Sequence, residues 1–215
     1  VPDLSKGRGQ FERLAHCLGK TDMNKRKGNA PPGHVRIIGG RLHGSRLTVP
    51  ALPGLRPTPQ RLRQTLFDWL APVIEGARVL DVFAGTGALG IEALSRGARS
   101  ALFFEQDRAR ARAIESDLVR LHQDAGTVRH ADALRALAAQ APETFDIAFV
   151  DPPFDSSLWT QATERLDAHG WLAPEAWVYV EAGTRDVWQA PVRWRVHRRR
   201  ETGDVRGTLF RVTPD

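Results

Sequence analysis

An apolar run that ends in an acid and turns at once into glycines, VLDVFAGTG at residues 79–87, constrains this chain more than any other feature. Such a run is the exit of a buried strand into a tight loop, and four more follow it. Apolar segments at 79–83, 100–104, 127–130, 145–150 and 176–181 are separated, for the most part, by stretches with helical spacing. That alternation predicts an α/β fold, a doubly wound, mostly parallel sheet covered on both faces. The helix after Gly87 carries Leu89, Ile91 and Leu94 and is expected to stop at Gly97, a residue suited to the position just past a helix end. VRWRVHRRR and, after Gly203, VRGTLFRV predict an antiparallel pair added to one edge.

Upstream of the sheet the chain changes character. VRIIGGRLHGSRLTVP, residues 35–50, has two short apolar segments separated by glycines and predicts a β-hairpin. In LRPTPQRLRQTLFDWL, Thr58 and Pro59 fit a cap and first turn, with Leu62, Leu66, Trp69 and Leu70 on the buried face and Arg61 and Arg63 on the surface. The hairpin and helix, residues 35–70, form a small extension of a catalytic core at 71–215. Residues 1–34, rich in Gly, Lys, Arg, Asn and Pro without an apolar period, read as a disordered basic tail. Met23, the only methionine, opens the string MNKRKGNAPPGH and is expected to be the natural start.

The glycine loop alone does not name its ligand. GTGALG, residues 85–90, matches the dinucleotide pattern GxGxxG, and close approach of a ligand to backbone N–H groups serves a pyrophosphate or a nucleoside equally. Asp81 argues against the first, since a carboxylate ahead of the loop repels a pyrophosphate and attracts a cation; its alternative is a cap on the loop. Glu105 stands at the next strand tip, about 20 residues past the loop, where a carboxylate grips a ribose diol. Asp132, after the third strand, either receives an adenine amine or caps a helix.

The deciding element is DPPF, Asp151 to Phe154, which a nicotinamide enzyme has no need of. An exocyclic amine on a purine has its lone pair delocalised into the ring and attacks poorly until hydrogen bonds draw the nitrogen toward tetrahedral geometry. Asp151 and the Pro152 carbonyl are suitable acceptors. Pro152 and Pro153 fix φ and remove N–H donors, and Phe154 offers a stacking platform for a splayed base. In-line transfer of a methyl group to such an amine rests on positioning and needs no metal. Methylation at pyrimidine C5 needs a cysteine nucleophile, and Cys17, the only cysteine, lies in the basic tail.

Composition narrows the partners. The formal charge is +6, carried by arginine apart from Lys6, Lys20, Lys25 and Lys27, which fits a polyanion or an arginine-favouring genome. One cysteine excludes an internal disulfide framework and any multi-cysteine metal centre. No apolar run reaches the roughly 20 residues of a membrane span, so the expected location is the cytoplasm. The basic run Arg193 to Arg200 reads first as a guard against edge pairing, with an RNA-backbone contact as its alternative.

From about Val35 to its end, the chain resembles the bacterial 16S rRNA guanine-N2 methyltransferases of the RsmD type. RIIGG at residues 36–40, LRPTPQRLRQTLFDWLAP from Leu55, LDVFAGTGALGIEALSRGA from Leu80, and VDPPF are similar to that family's motifs in identity, order and spacing. The resemblance implies a class I methyltransferase fold and S-adenosylmethionine as donor. It further implies a guanine of 16S rRNA, within an assembled or partly assembled small subunit, as the acceptor; nothing in the sequence demands more than a monomer. By position it assigns Asp81, Phe83, Gly85 and Gly87 to the cofactor loop, Glu105 to the ribose, and Asp132 with Ala133 to the adenine. Asp151, Pro152, Pro153 and Phe154 fall to the target base, and Arg36, Arg56, Thr58 and Arg61 to RNA. Gln64 departs from the pattern, standing where the family often has an acid. Three other readings remain: an adenine-N6 methyltransferase, an NAD-dependent oxidoreductase, and a non-catalytic RNA-binding assembly factor.

Overall fold

Seven strands form one sheet in the order β5-β4-β3-β6-β7-β9-β8 in the computed structural model, which describes residues 33–50, 60–153 and 158–214. The strands are β3 (Arg78–Asp81), β4 (Ser100–Glu105), β5 (Gly126–His130), β6 (Phe145–Val150), β7 (Leu172–Gly183), β8 (Trp194–Thr202) and β9 (Val205–Val212). From β5 to β7 neighbours run parallel, and β9 and β8 add the expected antiparallel edge. The chain steps outward from β3 to β4 and β5, then returns to the other side of β3 with β6. That reversal leaves a crevice at the carboxyl ends of β3 and β6, the place where ligands bind in open sheets of this kind.

The helices are α1 (Gln60–Leu70), α2 (Ala88–Ser95), α3 (Arg108–Arg120), α4 (Ala133–Leu137) and α5 (Leu158–Ala168). Alternate strand residues feed two cores. Val79, Phe103, Ile147, Phe149, Tyr179 and Leu209 pack with α1, α2, α3 and the hairpin. Leu80, Phe104, Ala148, Val150, Val178 and Phe210 pack on the opposite face with α4 and α5. Gly97 ends α2 as expected: at φ +99° it takes the left-handed turn, and the Ala98 N–H reaches back to the Ala93 carbonyl at 3.0 Å.

The hairpin pairs β1 (Gly33–Arg36) with β2 (Arg46–Val49), and Val35, Ile37 and Leu47 join the first core. It is fastened to α2 by polar contacts. Glu92, fully buried, accepts the Ile38 and Gly39 N–H groups at 2.7 and 2.8 Å and pairs with Arg96 at 2.8 Å. The Ser95 hydroxyl donates to the Gly39 carbonyl at 2.6 Å and accepts the Leu42 N–H at 2.9 Å.

Helix α1 corrects the sequence reading at one place. Leu62, Leu66 and Leu70 are buried and Trp69 partly so, but Arg63, expected on the surface, is only 3% exposed. It donates to the Arg36 carbonyl at 2.6 Å, between helix and hairpin, while its Nε has no hydrogen-bond partner among the described residues. Burial lowers its pKa, against the opposing pull of Glu92. The proposed cap at Thr58 and Pro59 and residues 1–32 of the tail, with Cys17 and Met23, lie outside the described residues, while the last two residues assigned to that tail, Gly33 and His34, instead open β1, where they pair with Val49 and Thr48. No helix among the described residues is long and apolar enough to cross a membrane.

Candidate active site

Three strand tips meet at the crevice, and backbone hydrogen bonds hold them in register. The Val82 N–H donates to the Phe149 carbonyl at 3.0 Å, and the Ala84 N–H to the Phe104 carbonyl at 2.9 Å. The exit of β3 is thereby stitched to β6 on one side and β4 on the other. Asp81, Glu105 and Asp151 stand at the tips of β3, β4 and β6.

The glycine loop bends as the sequence demands. Gly85 and Gly87 have φ of +56° and +72°, a region that costs an L residue about 1 kcal/mol or more, and Gly87 leads into α2. Gly90 has a different purpose. A Cβ there would lie 2.1 Å from the Phe103 ring, so its lack of a side chain is what lets α2 sit down on β4.

Two carboxylates grip this loop unequally. Glu105, 5% exposed, accepts the Gly85 N–H at 2.8 Å through one oxygen and the Asp107 N–H at 2.7 Å through the other. Asp81, 2% exposed, accepts one N–H, that of Gly90 at 3.0 Å, and no cation pairs with it among the described residues. Burial, with a contribution from the Glu105 charge and against the Gly90 hydrogen bond, pushes its pKa up from 3.8 to about 7. A buried acid of this kind, at the mouth of a glycine loop, has the chemistry to receive a positively charged group of a ligand.

On β6, Asp151 is partly exposed, Pro152 buried and Pro153 exposed. β6 pairs with β7 through Phe149–Tyr179 and Val150–Val180, which brings Asp151 beside Glu181, the next residue of β7. Glu181 is 2% exposed and accepts the Tyr179 hydroxyl at 3.0 Å. Burial, followed by the Glu181 and Asp151 charges, holds the Tyr179 phenol well above its usual pKa.

Comparison with known proteins follows the same outline. Residues 35–211 match the family described as "Conserved hypothetical protein 95". The chain is 43% identical over 187 residues to ribosomal RNA small subunit methyltransferase D of Escherichia coli strain K12, covering 86% of this chain and 94% of that protein. The chain belongs to that methyltransferase family. The Haemophilus influenzae member is 38% identical, over 83% of this chain and 94% of its own length. The solved structure of the Escherichia coli protein yhhF, 43% identical, superposes with a TM-score of 0.78 over 85% of this chain and all of that one. The T. thermophilus 16S rRNA N2 methyltransferase RsmC, solved with AdoMet and guanosine, shares the fold at 19% identity and a TM-score of 0.62, over 86% of this chain and 50% of its own.

Within this methyltransferase fold, the other residues singled out from the sequence are placed as follows. Phe83 is partly buried between Asp81 and the glycines. Asp132 caps α4, accepting the Arg135 N–H at 2.8 Å, and Ala133 is buried as the first residue of that helix. Arg36 and Arg61 are exposed, Arg36 donating to the Gly44 carbonyl at 3.1 Å. Arg56, Thr58 and Phe154 lie outside the described residues. Sequence reasoning passed over Glu181, Tyr179 and Glu92. Glu181 carried a signal, an acid ending an apolar strand just as Asp81, Glu105 and Asp151 do. Glu92 carried only the i,i+4 spacing to Arg96, because its other partners are backbone N–H groups more than fifty residues upstream.

Proposed function

We propose that this chain transfers the methyl group of S-adenosylmethionine to the exocyclic N2 amine of a guanine in small-subunit ribosomal RNA. The observation that carries the reading is the adjacency of β3 and β6. One ends in a buried acid and a glycine loop, the other in Asp-Pro-Pro, and hydrogen-bonded neighbours in the sheet bring donor and acceptor subsites side by side.

S-adenosylmethionine supplies a methyl group on a cationic sulfur. Asp81 meets the positive charge of the donor's methionine portion, and Gly85 and Gly87 leave room beside the loop for the nucleoside. Glu105 keeps lone pairs on both oxygens after its two N–H contacts and accepts the ribose hydroxyls. Asp132 and Ala133 border the adenine. Phe83 packs against the bound donor.

Asp151 and the Pro152 carbonyl accept the two amine hydrogens of the guanine and turn the nitrogen lone pair toward the methyl carbon. Pro152 and Pro153 hold that geometry with little conformational freedom, and Phe154 stacks on the base. As the N–C bond forms and the S–C bond breaks, the nitrogen gains positive charge and releases one proton to Asp151. Catalysis is mainly the positioning of two bound reactants. Arg36, Arg56, Thr58 and Arg61 hold RNA beside the site. The substrate is the assembled or partly assembled small subunit, met in the cytoplasm by a monomeric enzyme.

The test is label transfer from methyl-tritiated S-adenosylmethionine to small subunits lacking the modification, with naked 16S rRNA in parallel, followed by nucleoside analysis. N2-methylguanosine in the subunit RNA is the expected product. N6-methyladenosine would keep the fold and overturn the acceptor; no label despite donor binding would favour a non-catalytic assembly role. The Asp151→Ala variant should lose methyl transfer while donor affinity stays within about threefold. Retained turnover would remove Asp151 from the mechanism.

A further inference from the structure

The edge strand β8 is exposed from Arg195 to Glu201 and carries arginines at 195, 198, 199 and 200. Strand pairing sorts them. Residues paired across neighbouring strands point to the same face of a sheet. Tyr179 pairs with Leu209, which pairs with Arg198; Glu181 pairs with Gly207, which pairs with Arg200. Phe149, Tyr179 and Leu209 lie in the core beneath α1, so Arg198 and Arg200 stand on that face, the face of Asp81 and Asp151. Arg199 pairs with Thr208, the partner of Val180, and points to the opposite face. The register shift between Val196 and Arg198 sets this division.

One row therefore crosses the sheet at the level of the proposed methylation site: Asp151, the residue after the last β6–β7 pair, then Glu181, Gly207 and Arg200. Tyr179 bridges its middle. Its hydroxyl donates to Glu181 and lies across Gly207, where a Cβ would meet it at 2.5 Å. Three strand spacings separate the backbones at the two ends of the row, about 14 Å. An extended arginine side chain reaching inward shortens that to the dimensions of one nucleotide, base edge to phosphate.

Nearby arginines of the same sheet edge are held by acids, Arg206 by Glu201 at 2.8 Å, Arg211 by Glu175 at 3.0 Å and Arg193 by Asp167 at 2.9 Å. None of the four β8 arginines, Arg195, Arg198, Arg199 and Arg200, makes a side-chain hydrogen bond or ion pair among the described residues, and of the four only Arg198 and Arg200 stand on the site's face near its level. A guard against edge pairing needs charge on either face of the strand. It gives no reason for two unpaired guanidinium groups on the site's face, level with the site.

We propose that Arg198 and Arg200 hold the phosphate backbone of the RNA strand whose base enters the site, so that β8 is the rim over which the substrate passes. The inference rests on the RNA substrate proposed above and adds to it a defined contact surface.

Steady-state methyl transfer to unmodified small subunits tests it, comparing wild type with the Arg198→Ala/Arg200→Ala double variant and with two controls. Arg199→Ala removes a charge from the same strand on the other face; Arg195→Ala removes one from the site's face, about 16 Å back along the strand from Arg200 and about 10 Å from Arg198. The double variant should raise KM for subunits about tenfold or more, leave kcat and donor Kd near wild type, and flatten the log–log salt dependence of kcat/KM by about 1 to 2. The controls should stay within about twofold. Arg200→Glu should act in the same direction as the double variant, so a folding defect in one protein cannot imitate the result. Wild-type KM in the double variant, or an equal loss in Arg199→Ala, would overturn the proposal. No methyl transfer by the wild type itself would instead strike at the reading on which the inference rests.

Discussion

Glu92, inside α2, and Asp81, at the tip of β3 where it accepts the Gly90 N–H of that helix, are two buried carboxylates, and the contrast between them separates architecture from site. Glu92 accepts two backbone N–H groups and a guanidinium, so its charge is answered inside the fold. Asp81 accepts one N–H and pairs with no cation among the described residues, and burial raises its pKa to about 7. A fold tolerates an unanswered buried acid poorly, and in the function proposed above a ligand that brings positive charge satisfies that deficit. Glu105 lies between the two, with two N–H partners and spare lone pairs.

The comparison is most severely tested by removing the answered acid. Glu92→Ala takes away both N–H acceptors and leaves Arg96 without its partner, which should destabilise the protein by about 3–5 kcal/mol in urea titrations. Donor affinity of the folded fraction should change little. A Glu92 variant as stable as wild type would remove the distinction between the two acids.

Asp81→Asn should act in the opposite sense. The folded-state pKa of Asp81 lies above its unfolded value, so the protonated form favours folding. That contribution is complete below about pH 4 and is lost as pH rises through about 7. The ligand-free variant should therefore match wild type near pH 4 and exceed it at pH 8, by on the order of 4 kcal/mol at most. Its affinity for S-adenosylmethionine should fall by about 100-fold. Thermal melts at both pH values, with calorimetric titration, check the two halves together.

A third carboxylate sets the lower end of the scale. Asp132 caps α4 from an exposed position, and Asp132→Ala should cost about 1 kcal/mol through the lost cap alone. An additional loss of donor affinity would count for its adenine role; unchanged affinity would leave it a cap.

The sequence made legible whatever is local and periodic. Strand segments, the glycine loop and the Asp-Pro-Pro exit each carry their own signature, and Asp81, Glu105 and Asp151 could be found because each acid closes an apolar run. Arg63 was misread because its burial depends on the Arg36 carbonyl, 27 residues upstream, and arginine ordinarily belongs at a surface. RIIGG was recognised as a motif, but its docking on α2 was invisible, since Ile38 and Gly39 contribute backbone N–H groups that any residue except proline has. The faces of the β8 arginines were equally hidden: the shift between Val196 and Arg198 breaks the alternation from which they would be read.

The most direct test of the account is calorimetric titration of the protein with S-adenosylmethionine at about pH 6 and about pH 7.5, each in two buffers of different ionisation enthalpy. If the unanswered charge at Asp81 is the donor's seat, binding is several-fold tighter at the higher pH, releases a fraction of a proton near neutrality, and loses both properties in Asp81→Asn. Affinity independent of pH, without proton release and unchanged in the variant, would contradict it.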